Sequence, residues 1–330
     1  MVGIAEVARA AGVSTATVSR ALSGRGQVSD AARAKVQAAV DALGYVMSAS
    51  ASSLASGRTR NIGVLVPLLD KWFYATVLSG IADVLSRHGY DIALYNLTDD
   101  PAQRAGVFDT SLRRSRIDGL ITLTVELSDP ERDGILALGM PVVAVGAPNH
   151  GIPALTVDDR AVAHAATSHL IALGHREIAH IGSGRAGGEV PARRREGYEQ
   201  ALHQAGIAPR AELFAHADFT IEAGHAAALE LLRRTDRPTA LFAASDEMAF
   251  GALFAARELA LDVPGDVSVV GVDGHGMSGF FGLTTVDQFP QAQGERAAHA
   301  VLAALGLEAP AGAPELPFEL VLRTSTAPPA

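Results

Sequence analysis

The sequence predicts two parts of different fold class, a small all-α part at the amino terminus and a larger α/β core. In the first 45 positions, apolar residues recur three or four apart, which is typical of amphipathic helices. From Asn61 onward, short apolar runs alternate with longer helical patterns, and this rhythm predicts parallel sheets covered by helices. At 330 residues and 48% hydrophobic content, the chain is long enough for two or three domains with packed cores.

Charge is distributed unevenly between these two parts. The whole chain has a net charge of −9, yet residues 1–60 carry seven basic side chains against three acidic ones. Because attraction to phosphate is screened within roughly 10 Å, this basic region can bind nucleic acid while the acidic remainder stays off it. The absence of cysteine excludes a disulfide framework and fits a reducing cytoplasm. With no apolar signal core and no long apolar run, we expect neither export nor a membrane helix.

Residues 4–23 predict two short helices joined by a tight turn. Gly12 supplies the turn, and the hydroxyl of Ser14 can cap the second helix. The apolar faces consist of Ile4, Val7, Ala8 and Ala11 in the first helix and of Val18, Ala21 and Leu22 in the second. Such a pair is the helix-turn-helix unit, whose second helix enters the major groove of DNA, and an ordinary helical hairpin is the alternative.

A third helix follows and completes a small core. Ser29 or Asp30 caps its start, and Gly44 ends it. The apolar face of this helix consists of Val36, Ala39, Val40 and Leu43. The three helices together form the predicted headpiece, residues 1–46.

Four linked motifs of the headpiece carry a resemblance to a known family. These are Val7-Ala8, Ala11-Gly12-Val13-Ser14, Thr17-Val18-Ser19-Arg20 and Gly44-Tyr45. They resemble the headpiece of the LacI/GalR family of bacterial transcription regulators. The resemblance implies that the α/β core consists of two doubly wound parallel-sheet subdomains, like the type I periplasmic-binding-protein fold.

The resemblance also implies which headpiece residues contact DNA. Arg20, Thr15 and Ala16 are expected at base edges, where the two short side chains suit thymine methyl groups. Ser14, Thr17 and Ser19 are expected to hold the phosphate backbone. Further expected contacts are Ile4, Ala5, Ser23, Gln27, Val28, Ser29 and Tyr45. Tyr45 is equally well explained as a packing residue.

Residues 47–60 are expected to link the headpiece to the core. By composition, the Ser/Ala tract at 48–56 is a flexible linker, whereas the family has a hinge helix here whose leucine wedges into the minor groove. Leu54 matches that leucine, and Ser48, Ala51 and Ala55 are expected beside it on DNA. Nine residues are too few for a stable isolated helix, so folding should require DNA and a partner. Met47-Ser48 and Ser52 replace the family's Pro-Asn and arginine.

The core pattern predicts a series of strands and helices. The expected strands are 62–66, 91–96, 119–123, 141–145, 178–181, 240–244, 267–272 and, last, 317–322. A helix near 77–88 and another reaching about Arg116 are expected between the first three strands. We place subdomain one at about 61–160 plus 290–318 and subdomain two at about 161–288 plus 319–330.

Ligands of open α/β sheets bind beyond the carboxyl ends of strands, and several polar and aromatic residues are predicted there. By the order of the family's motifs, the expected effector-binding residues are Phe73, Tyr74, Arg194, Phe219, Asp246, Asp273 and Gln288. Arg194 is expected to open its helix. Carboxylates and a guanidinium pair sugar hydroxyls, while aromatic faces stack on sugar rings. Trp72 replaces the family's usual proline, and Gly274 replaces a frequent second acid. The identity of the effector is therefore left open.

Three other kinds of site are weakly indicated. Residues 182–187 match a dinucleotide-binding GxGxxG, but Gly188 and Pro191 delay the helix that this motif requires. The four histidines at 164, 169, 175 and 180 lack metal-ligand spacing. No Gly-x-Ser-x-Gly elbow supplies a hydrolase nucleophile. We therefore expect no catalytic site, no metal and no cofactor.

Together these patterns predict a cytoplasmic, homodimeric transcription regulator and not an enzyme. It would repress carbohydrate-utilisation genes by binding a pseudo-palindromic operator, and a mono- or oligosaccharide effector would control that binding. One alternative is a transport-type sugar-binding protein, which would share the core but need a signal peptide and no headpiece. The other is a sugar- or nucleotide-processing enzyme, which would need an acid/base pair or a cofactor loop.

Overall fold

The computed structural model describes residues 2–23, 27–45, 57–98, 100–114, 116–183, 188–309, 312 and 315–330. Most of the predicted linker, including Ser48, Ala51, Leu54 and Ala55, therefore lies outside the described residues. So do most of the GxGxxG segment at 182–187 and residues 310, 311, 313 and 314 before the last strand. In the described part of the chain, no helix is long and apolar enough to cross a membrane.

Three helices form the headpiece, as predicted: α1 (Ile4–Ala11), α2 (Thr15–Ser23) and α3 (Asp30–Leu43). Gly12 and Gly44 end α1 and α3 in the left-handed backbone conformation that glycine adopts without strain. Ser29 caps α3, its hydroxyl accepting a hydrogen bond from the backbone N–H of Ala32 at 3.3 Å. The apolar faces of all three helices meet in one small core around Val7, which is fully buried.

The first core sheet has five strands, all parallel, in the order β2-β1-β3-β4-β5. They are β1 (Asn61–Val66), β2 (Asp91–Asn96), β3 (Gly119–Leu123), β4 (Val142–Val145) and β5 (Ala154–Leu155). The helices are α4 (Trp72–Arg87), α5 (Pro101–Ala105), α6 (Leu112–Arg114) and α7 (Asp129–Leu136). Buried clusters cover both faces of this sheet, so the doubly wound prediction is confirmed here.

The second sheet has six strands in the order β11-β10-β9-β8-β6-β7, and only the β10–β11 pair is antiparallel. The strands are β6 (Ile178–Gly182), β7 (Phe214–His216), β8 (Ala240–Ala243), β9 (Ser268–Asp273), β10 (Thr284–Asp287) and β11 (Glu319–Val321). The helices are α8 (Asp159–Ala172), α9 (Glu189–Gln204), α10 (Ile221–Leu232) and α11 (Asp246–Glu258). Apolar clusters again lie on both faces.

Helix α12 (Pro290–Ala304) follows β10 but packs against the first sheet and α4. A Cβ atom at Gly80 would lie 2.1 Å from the carbonyl oxygen of Gln291, and one at Gly294 would lie 2.0 Å from that of Val77. Glycine at both positions therefore lets α4 and α12 approach backbone to backbone. This packing returns the chain to the first sheet before β11 joins the second.

Several predicted boundaries differ from the structure. Helix α4 begins at Trp72, five residues before the predicted start, because its first turn consists of aromatic residues that carry no helical periodicity. The helix expected to reach Arg116 is broken by a π-helical segment at Gly106–Ser111, and its last described turn ends at Arg114. The prediction that Arg194 opens its helix is wrong, since α9 begins at Glu189.

The last error has a simple cause. Pro191 stands in the first turn of α9, where its missing N–H removes no intrahelical hydrogen bond, so it does not delay the helix. Three strands were not predicted: β5, β7 and β10. They have only two, three and four residues, and their pairing with longer neighbours stabilises them more than their own pattern does.

Candidate DNA-contacting face and ligand cavity

Most of the predicted DNA-contacting side chains of the headpiece are exposed. Ala5, Ser14, Thr15, Ala16, Arg20, Gln27 and Ser29 are exposed, whereas Ile4, Thr17, Ser19, Val28 and Tyr45 are half-buried. Ile4, Val28 and Tyr45 also pack against the headpiece core, so Tyr45 has a structural role whether or not it contacts DNA. Ser23 ends α2, and its proposed contact stays a prediction.

The start of α2 is held by hydrogen bonds in which three of the predicted DNA-contacting side chains take part. The hydroxyl of Ser14 accepts from the backbone N–H of Thr17 at 3.1 Å and lies 2.9 Å from the hydroxyl of Thr17. This cap fixes the end of the helix that would face a DNA groove. The Nε of Arg20 donates to the carbonyl of Ala16 at 3.2 Å, which directs the guanidinium along the helix towards Thr15 and Ala16.

The carboxylate of Asp118, just before β3, holds the end of the linker against the core. It accepts hydrogen bonds from the backbone N–H and hydroxyl of Thr59, at 2.7 and 2.9 Å, and from the backbone N–H of Arg60, at 2.9 Å. Arg58 donates to the carbonyl of Leu305, beyond the end of α12, at 2.9 Å. Residues 58–60 are thereby tied to two separate segments of the core.

A cavity of about 660 Å³ lies between the two sheets. This volume is within the range of small-molecule sites. Six of the seven predicted effector-binding residues line it: Phe73, Tyr74, Arg194, Phe219, Asp273 and Gln288. Some of them follow strands of the first sheet and others follow strands of the second. That they contact a ligand directly stays a prediction.

Arg194 is the centre of a buried polar network on the cavity wall. Its Nε donates to a carboxylate oxygen of Asp159 at 2.8 Å, and its Nη1 lies 3.7 Å from a carboxylate oxygen of Asp273. The guanidinium also donates to the carbonyl of Ala244 and, at 3.4 Å, to the side-chain oxygen of Gln288. Gln288 in turn donates to Asp273 at 2.9 Å, so the network closes on itself.

Burial shifts the pKa of each titratable member of this network. Loss of solvation raises the pKa of Asp159 and of Asp273, although Arg194 opposes both shifts. Burial alone would lower the pKa of Arg194, but the two carboxylates outweigh that effect and raise it. Burial also raises the pKa of Tyr74 to about 12, so its hydroxyl keeps its proton at neutral pH. This part of the wall therefore offers a guanidinium paired with two carboxylates, together with polar acceptors and the hydroxyl donor of Tyr74.

Asp246 is the predicted effector-binding residue that does not line the cavity. It opens α11 and is fully buried. One of its carboxylate oxygens accepts from the hydroxyl of Thr285 at 2.6 Å, and the other accepts from the backbone N–H of His275 at 2.7 Å and the hydroxyl of Ser278 at 2.8 Å. These partners turn it away from the cavity, and burial raises its pKa to about 7.

The cavity wall also contains residues that the sequence interpretation missed. Charged and aromatic examples are Lys71, Arg104, Glu126, Asp159, Glu189, Glu247 and His275. Asp159 was missed because the strand before it, β5, was not predicted, although it follows that strand by four residues. Glu126 follows β3 by three residues; that strand was predicted, but a single acidic loop residue was not distinguished from a solvated one. The others lie in loops or first helical turns, where no periodic pattern distinguishes them from solvated residues.

The histidines raised as metal candidates have other partners. His175 bonds the hydroxyls of Thr239 and Ser268 through its two ring nitrogens, at 2.9 and 3.1 Å. His180 is fully buried and stacks on Phe242, and burial lowers its pKa to about 4. Across the described ranges, no group of three or more His, Asp or Glu side chains is placed to hold a metal ion.

An exposed helix-turn-helix followed by a two-sheet core with an internal cavity defines the class of DNA-binding regulators that carry a small-molecule site. Residues 3–48 match the family model of bacterial regulatory proteins of the lacI family. Residues 167–326 match the model of the periplasmic binding protein-like domain. Both matches agree with the element order described above.

Curated relatives match most of the chain. The transcriptional regulator DegA of Bacillus subtilis is 32% identical over 334 residues, with 98% of each chain covered. Catabolite control protein A of Priestia megaterium is 32% identical over 274 residues, with 82% of each covered. The PurR repressor of Mannheimia succiniciproducens is 32% identical over 303 residues, with 90% of each covered.

Two solved structures extend the likeness to the fold. The lac repressor dimer bound to operator and the anti-inducer ONPF is 27% identical, with a TM-score of 0.87 and 99% of both chains covered. The complex of the regulator CelR with cellobiose is 30% identical, with a TM-score of 0.72, covering 98% of this chain and all of that one. The chain belongs to the LacI family. It is a DNA-binding transcription regulator and not an enzyme, and the transport-type alternative is not favoured.

Proposed function

We propose that the chain is a homodimeric, cytoplasmic repressor of carbohydrate-utilisation genes, whose operator affinity is controlled by a sugar-like effector in the cavity between its two sheets. The network of Arg194, Asp159, Asp273 and Gln288 on the cavity wall carries this proposal. It presents polar groups in fixed positions on the wall of the cavity, which is how proteins orient polyhydroxylated ligands. Phe219, Phe73 and Tyr74 add aromatic faces for a sugar ring.

The charges on the wall favour an uncharged ligand over a phosphorylated one. The charged wall residues are Lys71, Arg104 and Arg194 against Glu126, Asp159, Glu189, Glu247 and Asp273. Among the described wall residues acidic groups outnumber basic ones, and Arg194 is already paired with two carboxylates. Lys71 lies 3.7 Å from Glu247, and Arg104 donates to Glu131 at 2.8 Å. A phosphate would therefore have to compete with carboxylates for each of these three cations.

The headpiece supplies the operator-binding part of the proposal. Arg20, Thr15 and Ala16 would meet base edges, and Ser14, Thr17 and Ser19 would hold the phosphate backbone. A single helix-turn-helix reads only a half-site, so a dimer on a pseudo-palindromic operator is the natural arrangement. The remaining proposed contacts are Ile4, Ala5, Ser23, Gln27, Val28, Ser29, Tyr45 and, in the linker, Ser48, Ala51, Leu54 and Ala55.

Exposed apolar residues close to the second sheet support the proposal that the protein is a homodimer. Phe254 on α11 and Met277, Phe280 and Phe281 after β9 are between 39% and 86% exposed. Phe281 packs edge-on against Phe254 with ring centroids 5.9 Å apart, so two of these exposed rings are in contact with each other. Exposed apolar patches of this kind mark protein interfaces, and the lac repressor structure that resembles this chain is a dimer.

The proposal divides the chain into a headpiece at 1–46, a linker at 47–60 and a core at 61–330. Within the core, the exchange of α12 and β11 between the two sheets supports subdomains at about 61–160 plus 290–318 and 161–288 plus 319–330. Effector binding would shift one subdomain against the other and act on the linker through Asp118. An allosteric coupling of about 1–3 kcal/mol would change operator affinity about 5- to 150-fold.

Asp273→Ala tests the effector part of the proposal. The variant is expected to keep operator affinity, measured by fluorescence anisotropy on duplexes selected from a random library, and to lose the response to sugars. The probes are D-glucose, D-ribose and cellobiose, screened first by thermal shift, because a bound ligand stabilises the folded state. Asp218→Ala, which removes an exposed carboxylate beside Phe219, is the matched control. An unchanged response in the Asp273 variant would show that this carboxylate does not contact the effector.

A further inference from the structure

The rings of Trp72 and His275 stack across the cleft between the two sheets. Trp72 begins α4, which packs on the first sheet, and His275 follows β9 of the second sheet. Their ring centroids are 4.2 Å apart with an interplanar angle of 36°. Both residues line the cavity. A contact at this distance between side chains of separate sheets can form only when the two sides of the cleft are close together.

Neighbouring groups hold each ring in place. The Nδ1 atom of His275 accepts a hydrogen bond from the backbone N–H of Met277 at 2.9 Å, so the neutral ring carries its proton on Nε2. Phe250 packs edge-on against the same ring, with centroids 5.2 Å apart. The backbone N–H of His275 donates to Asp246 at 2.7 Å. Asp246 therefore acts as a positioning residue behind the cavity wall.

The Trp72 side of the contact is held from across the cleft. Glu247, next to Asp246 on α11, accepts from the backbone N–H of Trp72 at 3.4 Å and lies 3.7 Å from the ammonium group of Lys71. Two adjacent acidic residues of one helix thus fix the two partners of the stack. Elsewhere on the wall, the backbone N–H of Glu189 donates to Glu126 at 2.5 Å, and this contact also joins the two sides.

We propose that Trp72 and His275 are a specificity-determining pair, whose stacked rings close the cavity on one side and limit the length of the ligand that it holds. The inference rests on the proposed function, because it presumes that the cavity is the effector site. A ligand that extends beyond this wall has to separate the rings and forgo their contact. Such a contact is worth about a 2- to 10-fold change in an equilibrium constant. The pair therefore disfavours longer ligands relative to shorter ones.

Trp72 is the single tryptophan of the chain, so its fluorescence reports on this contact alone. In the full-length protein without ligand, His275→Ala is expected to raise the acrylamide quenching constant of Trp72 about twofold or more. His275→Phe, which keeps a flat ring, is expected to restore a value near that of the wild type. His203→Ala, at an exposed position on α9, is the matched histidine control. Equal quenching constants in the wild type and His275→Ala would overturn the stack.

Thermal shift with a pentose and a disaccharide tests the selectivity. The apparent affinity for each sugar is derived from its thermal shift. The ratio of the affinity for cellobiose to that for D-ribose is expected to be about 2- to 10-fold higher in His275→Ala than in the wild type. The same ratio in both proteins would contradict the specificity role while leaving the effector site intact. No shift with either sugar in either protein would contradict both the role and the proposed sugar class, and unchanged operator binding by His275→Ala excludes misfolding as a cause.

Discussion

The proposed DNA-contacting face of the headpiece and the cavity of the core are built in opposite ways. Thr15, Ala16 and Arg20 come from one turn and a half of a single helix and are exposed. Arg194, Asp273 and Gln288 come from distant parts of the sequence and are at least nine-tenths buried. The exposed face can lose a side chain at little cost to the fold. Substitution in the buried network should cost more of the free energy of unfolding, because its charges compensate one another, so the two regions should respond in different ways.

The largest effect is expected from Arg194→Ala. Removing this guanidinium leaves Asp159 and Asp273 buried without a cation, which should lower the free energy of unfolding by about 3–5 kcal/mol. Urea denaturation at neutral pH measures this loss of unfolding free energy. The preceding residue offers a matched control, since Arg193 is exposed and pairs with Glu189 at 2.8 Å, so Arg193→Ala should cost about 1 kcal/mol or less. Similar losses in both variants would show that the buried network is not specially coupled.

A smaller effect, visible through its pH dependence, is expected at Asp246. Burial raises its pKa to about 7, so the folded protein keeps this carboxyl protonated where the unfolded chain has ionised it. Its contribution to stability is thus complete below the unfolded pKa near 4 and is lost as pH rises through 7. The side-chain amide in Asp246→Asn would imitate the protonated acid at every pH.

Between pH 5 and 8, the unfolding free energy of the wild type should therefore fall by about 2–3 kcal/mol relative to that of Asp246→Asn. Urea denaturation of both proteins at each pH gives this difference. Parallel curves for the two proteins would show that Asp246 is already ionised in the folded state at pH 5, despite its burial.

Substitution in the headpiece should have the smallest effect on the free energy of unfolding and a clear effect on DNA binding. Arg20→Ala is expected to weaken specific operator binding by about 1–3 kcal/mol and to leave both the fold and the response of the cavity to ligand unchanged. Anisotropy titrations at several salt concentrations distinguish the loss of a positive charge from the loss of a contact at one particular position. Arg9→Ala removes the same charge from the neighbouring helix and should reduce specific and non-specific binding alike. If the ratio of operator affinity to random-DNA affinity were the same in Arg20→Ala and Arg9→Ala, Arg20 would not contact base edges.

Sequence patterns were most reliable where a structure depends on nearby residues. The three headpiece helices were predicted because Gly12, Ser29 and Gly44 mark their ends by local backbone chemistry. The strands β1 and β3 were predicted because each is a continuous apolar run, and the structure buries both runs almost completely. Pro191 was misjudged because the cost of proline depends on which turn of a helix it occupies, and that was unknown from the sequence.

The cavity was only partly predictable. Its lining depends on which strand ends meet, and the short strands β5 and β10 acquire their structure from their neighbours. Asp159 and Asp246 illustrate the consequence. Both are carboxylates that follow a strand, yet Asp159 meets Arg194 at the cavity wall, whereas Asp246 is turned inwards by Thr285 and Ser278. Nothing in the local sequence of either residue separates these two outcomes.

The order of residues alone therefore determined the class of fold, the helix-turn-helix and the set of side chains that its second helix exposes. Tertiary structure decided which carboxylates are paired, which are buried, and that Trp72 meets His275 across the cleft. The physical reason is range. Helix caps and periodic faces act over a few residues, whereas desolvation and charge compensation depend on groups that folding brings together from far along the chain.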